Sequence, residues 1–113
     1  MKVTAVVQDP KHPACRGLGA SFEIFDEIYE YKNWERSGVH VLLSMHKHPQ
    51  RDEKGDYPIA WTNRFGKGRM FYTSLGHRED VYANDTYLRH LTGGLEWALG
   101  LKEGDDTRGN PII

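Results

Sequence analysis

The chain has 113 residues and a formal net charge of −1, with 15 lysines and arginines against 16 aspartates and glutamates. That length fits one domain and excludes two ordinary ones, and the balanced charge gives no electrostatic footprint for nucleic acid or an anionic membrane. The single cysteine, Cys15, excludes an intramolecular disulfide framework and a cysteine-based zinc cluster. No apolar stretch approaches the roughly 20 residues that span a bilayer, and the N-terminus lacks the apolar stretch of a signal peptide, so we expect a soluble, cytoplasmic protein.

Strand-forming segments and loops alternate along the first half of the chain. The β-branched residues of Lys2–Gln8 predict a strand that stops at Asp9–Pro10. The apolar run Val39–Met45 predicts a strand that is buried on both faces. Ser21–Tyr31 fits neither a strand nor a helix throughout, and we expect an irregular extended segment that leads into a short strand at Glu27–Tyr31.

A hairpin and a helix follow in the second half. Pro58–Thr62 and Arg69–Thr73 are strand-like runs joined by a segment with two glycines, which predicts an antiparallel β-hairpin. From Asp85, a candidate N-cap, to Leu99, leucines at i, i+3 and i+4 spacing predict an amphipathic helix that stops at Gly100.

The helix contains an unusual pair of glycines, Gly93 and Gly94. Each costs about 1 kcal/mol relative to alanine inside a helix, unless a neighbouring element needs the close approach. After the helix the composition becomes polar. We therefore expect one domain over residues 1–101 and a polar, mobile tail over residues 102–113.

His77 is the first candidate for chemistry, because it follows the second arm of the hairpin. Ligands bind beyond the carboxyl ends of strands in open α/β sheets, and a histidine there can move protons near neutral pH. Glu79 follows two residues later and could orient the imidazole. The alternative is a surface histidine that caps a helix or bonds a carbonyl.

A metal site is a weaker hypothesis from the sequence. His46 and His48 would project to one side if the strand continued through them, and two imidazoles can bind a transition metal. A zinc site needs a third or fourth ligand, and the spacing does not require His12, His77 or Glu27 to approach. The sequence therefore favours a solvated loop, with no metal and no cofactor.

Carboxylates and aromatic rings also occur together in a pattern typical of carbohydrate contact. Asp26–Glu27 stands next to Tyr29, and Trp61 and Thr62 lie at the end of a predicted strand. Carboxylates accept hydrogen bonds from hydroxyl groups, and aromatic rings stack on sugar faces. The alternative is that the tyrosine and tryptophan side chains simply pack in the core and its rim. We favour packing slightly over sugar contact for the tyrosine, and we consider the two equally well supported for Trp61.

Taken together and in this order, these segments resemble the trehalose-utilisation (ThuA-like) family. The resemblance covers nearly the whole chain from Val3 to Gly100, and the long stretch that ends in Leu75-Gly76-His77 is its most specific part. The matching stretches are Asp9–Pro13 with Gly17–Leu18, Asp26–Tyr29, Pro58–Thr62, Gly66–His77 and Gly93–Ala98.

The resemblance implies a fold, a function and a set of site residues. The implied fold is α/β, a partial flavodoxin-like or class I glutamine-amidotransferase-like sandwich with a β-hairpin and a C-terminal helix. The implied function is metabolism of trehalose or a keto-disaccharide, by acting on or binding an oxidised sugar, and a sugar-modifying enzyme is the first hypothesis. The implied catalytic residues are His77, Glu79 and Glu27, and the implied substrate-binding residues are Trp61, Thr62, His12, Asp9 and Tyr29.

The chain departs from the family in length and in one motif. Family members resemble single domains of about 200 residues, and this chain matches their second half. It has no Gly-x-Cys-x-Gly elbow, so we do not expect a glutamine amidotransferase. An uncovered sheet edge predicts a homo-oligomer or association with a missing N-terminal half. The alternatives are a non-catalytic sugar- or protein-binding module and an accessory unit paired with an oxidoreductase.

Overall fold

The computed structural model describes residues 2–25, 34–47, 54–75 and 84–113. This part of the chain forms one antiparallel sheet in the strand order β2-β1-β3-β4-β5, with one α-helix. In these ranges no helix has the length and apolar character needed to cross a membrane. The elements are β1 (Lys2–Val7), β2 (Ser21–Phe25), β3 (His40–Lys47), β4 (Lys54–Phe65), β5 (Gly68–Thr73) and α1 (Asp85–Ala98).

The predicted α/β class, hairpin and C-terminal helix are confirmed. β1 ends at Val7 rather than at Gln8, and β3 is buried at every position from His40 to Met45, as its apolar run predicts. The flavodoxin-like sandwich stays a prediction, because such sheets are mostly parallel and the pairings among the described strands are antiparallel. The predicted strand Glu27–Tyr31 lies outside the described residues.

β4 and β5 form the hairpin, and β4 also pairs with β3 on its other side. The register places Thr62 opposite Phe71 in β5 and opposite His40 in β3. Gly66 has φ +59°, a left-handed conformation that glycine adopts without steric cost in the turn. Thr62 thus lies near the centre of the sheet, directly beside a buried histidine.

The ends of α1 are set by local capping. The side-chain oxygen of Asn84 accepts a hydrogen bond from the amide of Tyr87 at 3.1 Å, so Asn84 is the N-cap and Asp85 is the first helical residue. At the other end Gly100 has φ +75°, which confirms the predicted stop.

The face that α1 buries differs from the predicted leucine face. Leu88, Leu95 and Leu99 are exposed, whereas Leu91 packs at the edge of the core. The close approach of α1 to its neighbours requires glycine at two of the buried positions, and His90 at another forms hydrogen bonds to both neighbours. The buried helix positions are Tyr87, His90, Gly93, Gly94 and Trp97.

Gly93 and Gly94 make that close approach possible. A Cβ atom added to Gly93 would lie 1.9 Å from the carbonyl oxygen of Pro13, and one added to Gly94 would lie 2.3 Å from Cζ of Phe71. Pro13 belongs to a short 3-10 turn, Pro13–Cys15, that follows β1. The two glycines therefore bring α1 against this turn on one side and against β5 on the other.

The polar tail lies along the sheet, in contrast to the mobility expected from its composition. The amide of Gly109 donates to the carbonyl of Val39 at 2.9 Å. The side chain of Asn110 accepts from the amide of Val41 and donates to its carbonyl, each at 2.8 Å. The tail thus pairs backbone groups at the start of β3 that would otherwise be buried without partners.

Gly93→Ala tests the close approach of α1. Alanine has the higher helix propensity by about 1 kcal/mol, but its Cβ would displace the backbone of Pro13, and overpacking of this kind costs roughly 1–3 kcal/mol or more. We expect the free energy of unfolding in urea to fall by about 2 kcal/mol. Thr92→Ala, at the exposed neighbouring position, is the matched control and should leave it nearly unchanged. A Gly93→Ala protein as stable as the wild type would contradict the packing described.

Candidate functional site

A largely buried ion pair joins the loop after β1 to the start of β3. Nε2 of His40 lies 2.8 Å from Oδ2 of Asp9, and Nδ1 of His40 lies 2.6 Å from the carbonyl oxygen of Thr107 in the tail. The His40 side chain is 1% exposed and that of Asp9 is 15% exposed. The other carboxylate oxygen of Asp9 accepts a hydrogen bond from the amide of Lys11 at 3.3 Å.

Both nitrogens of His40 face acceptors, so the protonated ring can donate a hydrogen bond from each of them. Burial lowers the pKa of His40, but the hydrogen bonds to Asp9 and Thr107 together with the Asp9 charge outweigh it and raise the pKa above 6.5. The hydrogen bond from His40 lowers the pKa of Asp9. The stabilisation from raising the His40 pKa is present in full below pH 6.5 and is lost as the pH rises through the raised pKa.

His12 lies beside this pair and has the opposite character. Its Nδ1 accepts a hydrogen bond from the amide of Ala14 at 3.1 Å, so the proton of the neutral ring is on Nε2. The ring is fully buried, with its centroid 6.2 Å from that of His40 and 5.5 Å from that of Trp97. Burial lowers the pKa of His12 to about 4, which keeps the ring neutral.

Unpartnered polar atoms surround the two histidines. Within the described residues, Nε2 of His12, Oγ1 of Thr62 and Nε1 of Trp97 are buried without a hydrogen-bond partner. Thr62 is opposite His40 in the sheet, and Trp97 packs on His12. Buried polar groups are normally satisfied by protein or by ordered water, so these three atoms are places where an internal water would be expected.

His90 is a buried histidine with a structural role. Its Nδ1 donates to the carbonyl of Ala14 at 3.0 Å, and its Nε2 accepts from Oγ1 of Thr73 at 3.0 Å. Burial lowers the pKa of His90 to about 4, although the hydrogen bond to Ala14 acts in the other direction. The neutral ring therefore links α1 to the 3-10 turn and to β5.

Trp61 belongs to a separate cluster. It packs with Val39 and Val41, its ring stacks on that of Tyr72 with centroids 4.4 Å apart, and Trp34 lies 5.9 Å away. Trp61 is 9% exposed. Its large apolar surface is thus used in packing. Packing is the alternative to sugar contact that the sequence offers for Trp61.

An open groove of about 570 Å³ runs between the 3-10 turn and α1. Its volume is within the range of small-molecule sites. Arg16 and Arg89 border it together with the carboxylates of Asp85 and Glu96, so both hydrogen-bond donors and acceptors line it. The guanidinium of Arg89 lies against Gly17, where an added Cβ would be 2.8 Å from Nη1.

The structure brings some of the predicted site residues together. Asp9, His12 and Thr62 meet around His40, whereas Trp61 lies in the other cluster. The predicted catalytic residues His77, Glu79 and Glu27, with Tyr29 and His48, lie outside the described residues, and His46 is exposed.

His40 is a functional candidate that the sequence pattern alone does not single out. It stands inside the apolar run that predicts a buried strand, and a titratable side chain buried there requires a partner. The need of a buried histidine for a polar partner is therefore the feature by which the sequence could identify His40 as a site residue. Nothing comparable marks the tail residue Asp105, which lies near the pair.

The five strands and the helix make this a small α/β protein, and the Asp9–His40 pair lies at its sheet. A family model described as ThuA, trehalose utilisation, matches residues 1–98, and the chain belongs to this family. It is similar in structure to a ThuA-like protein from Parabacteroides merdae, with a TM-score of 0.69 and 23% identity over 93% of this chain. The chain spans 40% of the length of that protein, and this likeness concerns the fold alone. A search of curated proteins finds no match.

The buried neutral state of His90 predicts how stability depends on pH. Unfolded His90 binds a proton near pH 6.5 and folded His90 near pH 4, so the unfolded state binds more protons between these values. The free energy of unfolding should fall as the pH drops through this window, with roughly 3 kcal/mol from His90 and a further loss from His12.

Urea unfolding at a series of pH values measures this loss, with His90→Gln as the comparison. The variant should show a shallower fall between pH 6.5 and pH 4, because glutamine does not titrate. An unchanged pH slope in His90→Gln would contradict the buried neutral imidazole.

Proposed function

We propose that this chain acts in the utilisation of trehalose or a related keto-disaccharide, by acting on an oxidised sugar. The match of the trehalose-utilisation family model to residues 1–98 carries this proposal. His77 is the proposed general acid or base, with Glu79 or Glu27 as its carboxylate partner, as the family resemblance implies. The proposal takes the whole active unit to be a larger amidotransferase-like sandwich of which this chain forms a part.

The groove along α1 is the place that we propose for the sugar among the described residues. Sugars present many hydroxyl groups, and the groove offers the guanidinium groups of Arg16 and Arg89 and the carboxylates of Asp85 and Glu96 to pair with them. Its volume of about 570 Å³ is sufficient for a disaccharide-sized ligand.

Asp9, His12 and Thr62 take a supporting part in this proposal. Their side chains are largely or fully buried, so we assign Asp9 and His12 to holding the 3-10 turn in place and Thr62 to packing beside His40 in the sheet. His12 does this directly, since it caps the turn from which Pro13 and Arg16 reach the groove. Trp61 has its ring engaged in stacking, so the proposal gives it no contact with the sugar.

Calorimetry and a product assay with the same samples test the proposed function. The ligands are trehalose and its 3-keto derivative, and products are followed by chromatography. We expect the keto-sugar to bind and to be converted, and we expect His77→Ala to lose at least a hundredfold in turnover while it still binds, since general acid–base catalysis contributes about 10²–10⁴-fold. His46→Ala, an exposed histidine, is the matched control and should retain turnover.

Variants of the groove test where the sugar binds. Arg89→Ala should weaken keto-sugar binding by about tenfold or more, in line with the roughly 1.5–3 kcal/mol of a charged hydrogen bond, whereas Arg108→Ala, an exposed arginine in the tail, should not. Heat of binding without any product would favour a binding module. Unchanged turnover in His77→Ala would remove that residue from the mechanism.

A further inference from the structure

The tail places a second carboxylate next to the Asp9–His40 pair. One ligand atom from each of Asp9, His40 and Asp105 can be chosen so that all three lie within 4.8 Å of one another. We infer that these three residues form a binding site for a divalent transition-metal ion. The inference does not depend on the proposed function.

The donor atoms suit such an ion. Imidazole nitrogen together with carboxylate oxygens is a ligand set found for zinc, manganese and iron. Nε2 of His40 and Oδ2 of Asp9 are 2.8 Å apart. An ion at about 2.1 Å from each atom would therefore have a nitrogen–metal–oxygen angle close to a right angle. Asp105 is exposed, and its ligand atom lies within 4.8 Å of those of Asp9 and His40.

Each of the three ligands is held by a further hydrogen bond. Nδ1 of His40 donates to the carbonyl of Thr107 at 2.6 Å, which leaves Nε2 as the metal-binding nitrogen. Oδ1 of Asp105 accepts from the amide of Thr107 at 3.0 Å and from its hydroxyl at 2.6 Å. Oδ1 of Asp9 accepts from the amide of Lys11. Histidine ligands of metals are oriented in this way by a second hydrogen bond, commonly to a backbone carbonyl.

The charges of the site balance with a divalent ion. Without an ion, the proton on Nε2 of His40 faces Oδ2 of Asp9, and within the described residues no lysine or arginine forms an ion pair with Asp105. A divalent ion would take the place of that proton. Two carboxylates and a neutral imidazole then carry a combined charge that offsets the ion.

His12 lies beside these residues and carries a donor that no described group accepts. It is fully buried, and within the described residues its Nε2 has no hydrogen-bond partner. This edge of the ring lies against Gly104, the residue before Asp105, where an added Cβ would be 3.0 Å from Nε2.

The site depends on a residue outside the family match. The family model ends at residue 98, whereas Asp105 and its partner Thr107 come from the tail. The inferred site therefore uses the C-terminal segment, and binding of the ion would fasten the tail to the sheet.

Titration of the full chain with Co²⁺ and Zn²⁺, without any sugar, tests the inference. We expect one ion per chain, a Co²⁺ absorption spectrum typical of nitrogen and oxygen ligands, and a rise in the melting temperature with metal concentration. Asp105→Asn should weaken binding at least tenfold. Asp106→Asn is the matched control, since the neighbouring carboxylate pairs with Arg64 and should leave the affinity unchanged.

Two outcomes would overturn the inference. One is the absence of one-site binding by the wild-type chain. The other is equal affinity in Asp105→Asn and Asp106→Asn, which would mean that the ion binds elsewhere. Asp105 is exposed, so its substitution tests the site without threatening the core. Because no sugar is present, a negative result leaves the sugar assays unaffected.

Discussion

The hydrogen bond between Asp9 and His40 is the contact on which the arrangement of this protein depends. It joins the loop after β1 to the start of β3, and the second nitrogen of His40 continues the connection to Thr107 in the tail. Removing one partner of a buried pair commonly costs roughly 3–5 kcal/mol, because the remaining charge is left without compensation. The link therefore ties the loop after β1, the start of β3 and the tail to one another.

Local sequence patterns predict the elements well and their packing less well. The β-branched run of β1, the two-glycine hairpin and the stop at Gly100 depend on neighbouring residues, so the sequence contains the information needed. The buried face of α1 depends on which atoms lie opposite. Position 93 lies against the backbone of Pro13, and only glycine fits there. Because Pro13 is far away in the sequence, the spacing of the leucines cannot predict this contact.

The residues of the site also differ in how well the sequence predicts them. The family resemblance predicts Asp9, His12 and Thr62 as site residues, and the fold gathers them around His40. His40 is predictable in principle, since a histidine in a buried strand needs a partner. Asp105 is not, because polar composition indicates exposure but does not indicate which backbone groups of a sheet a tail will pair with. The hydrogen bonds of Asn110 to Val41 set that position.

A double-mutant cycle between Asp9 and His40 tests the central interaction most directly. The free energy of unfolding in urea at neutral pH is measured for the wild type, Asp9→Asn, His40→Gln and the double variant. The two substitutions should be strongly non-additive, with a coupling energy of about 1–3 kcal/mol. Additivity within about 0.3–0.5 kcal/mol would mean that the two side chains act independently, and it would contradict the central role of their hydrogen bond.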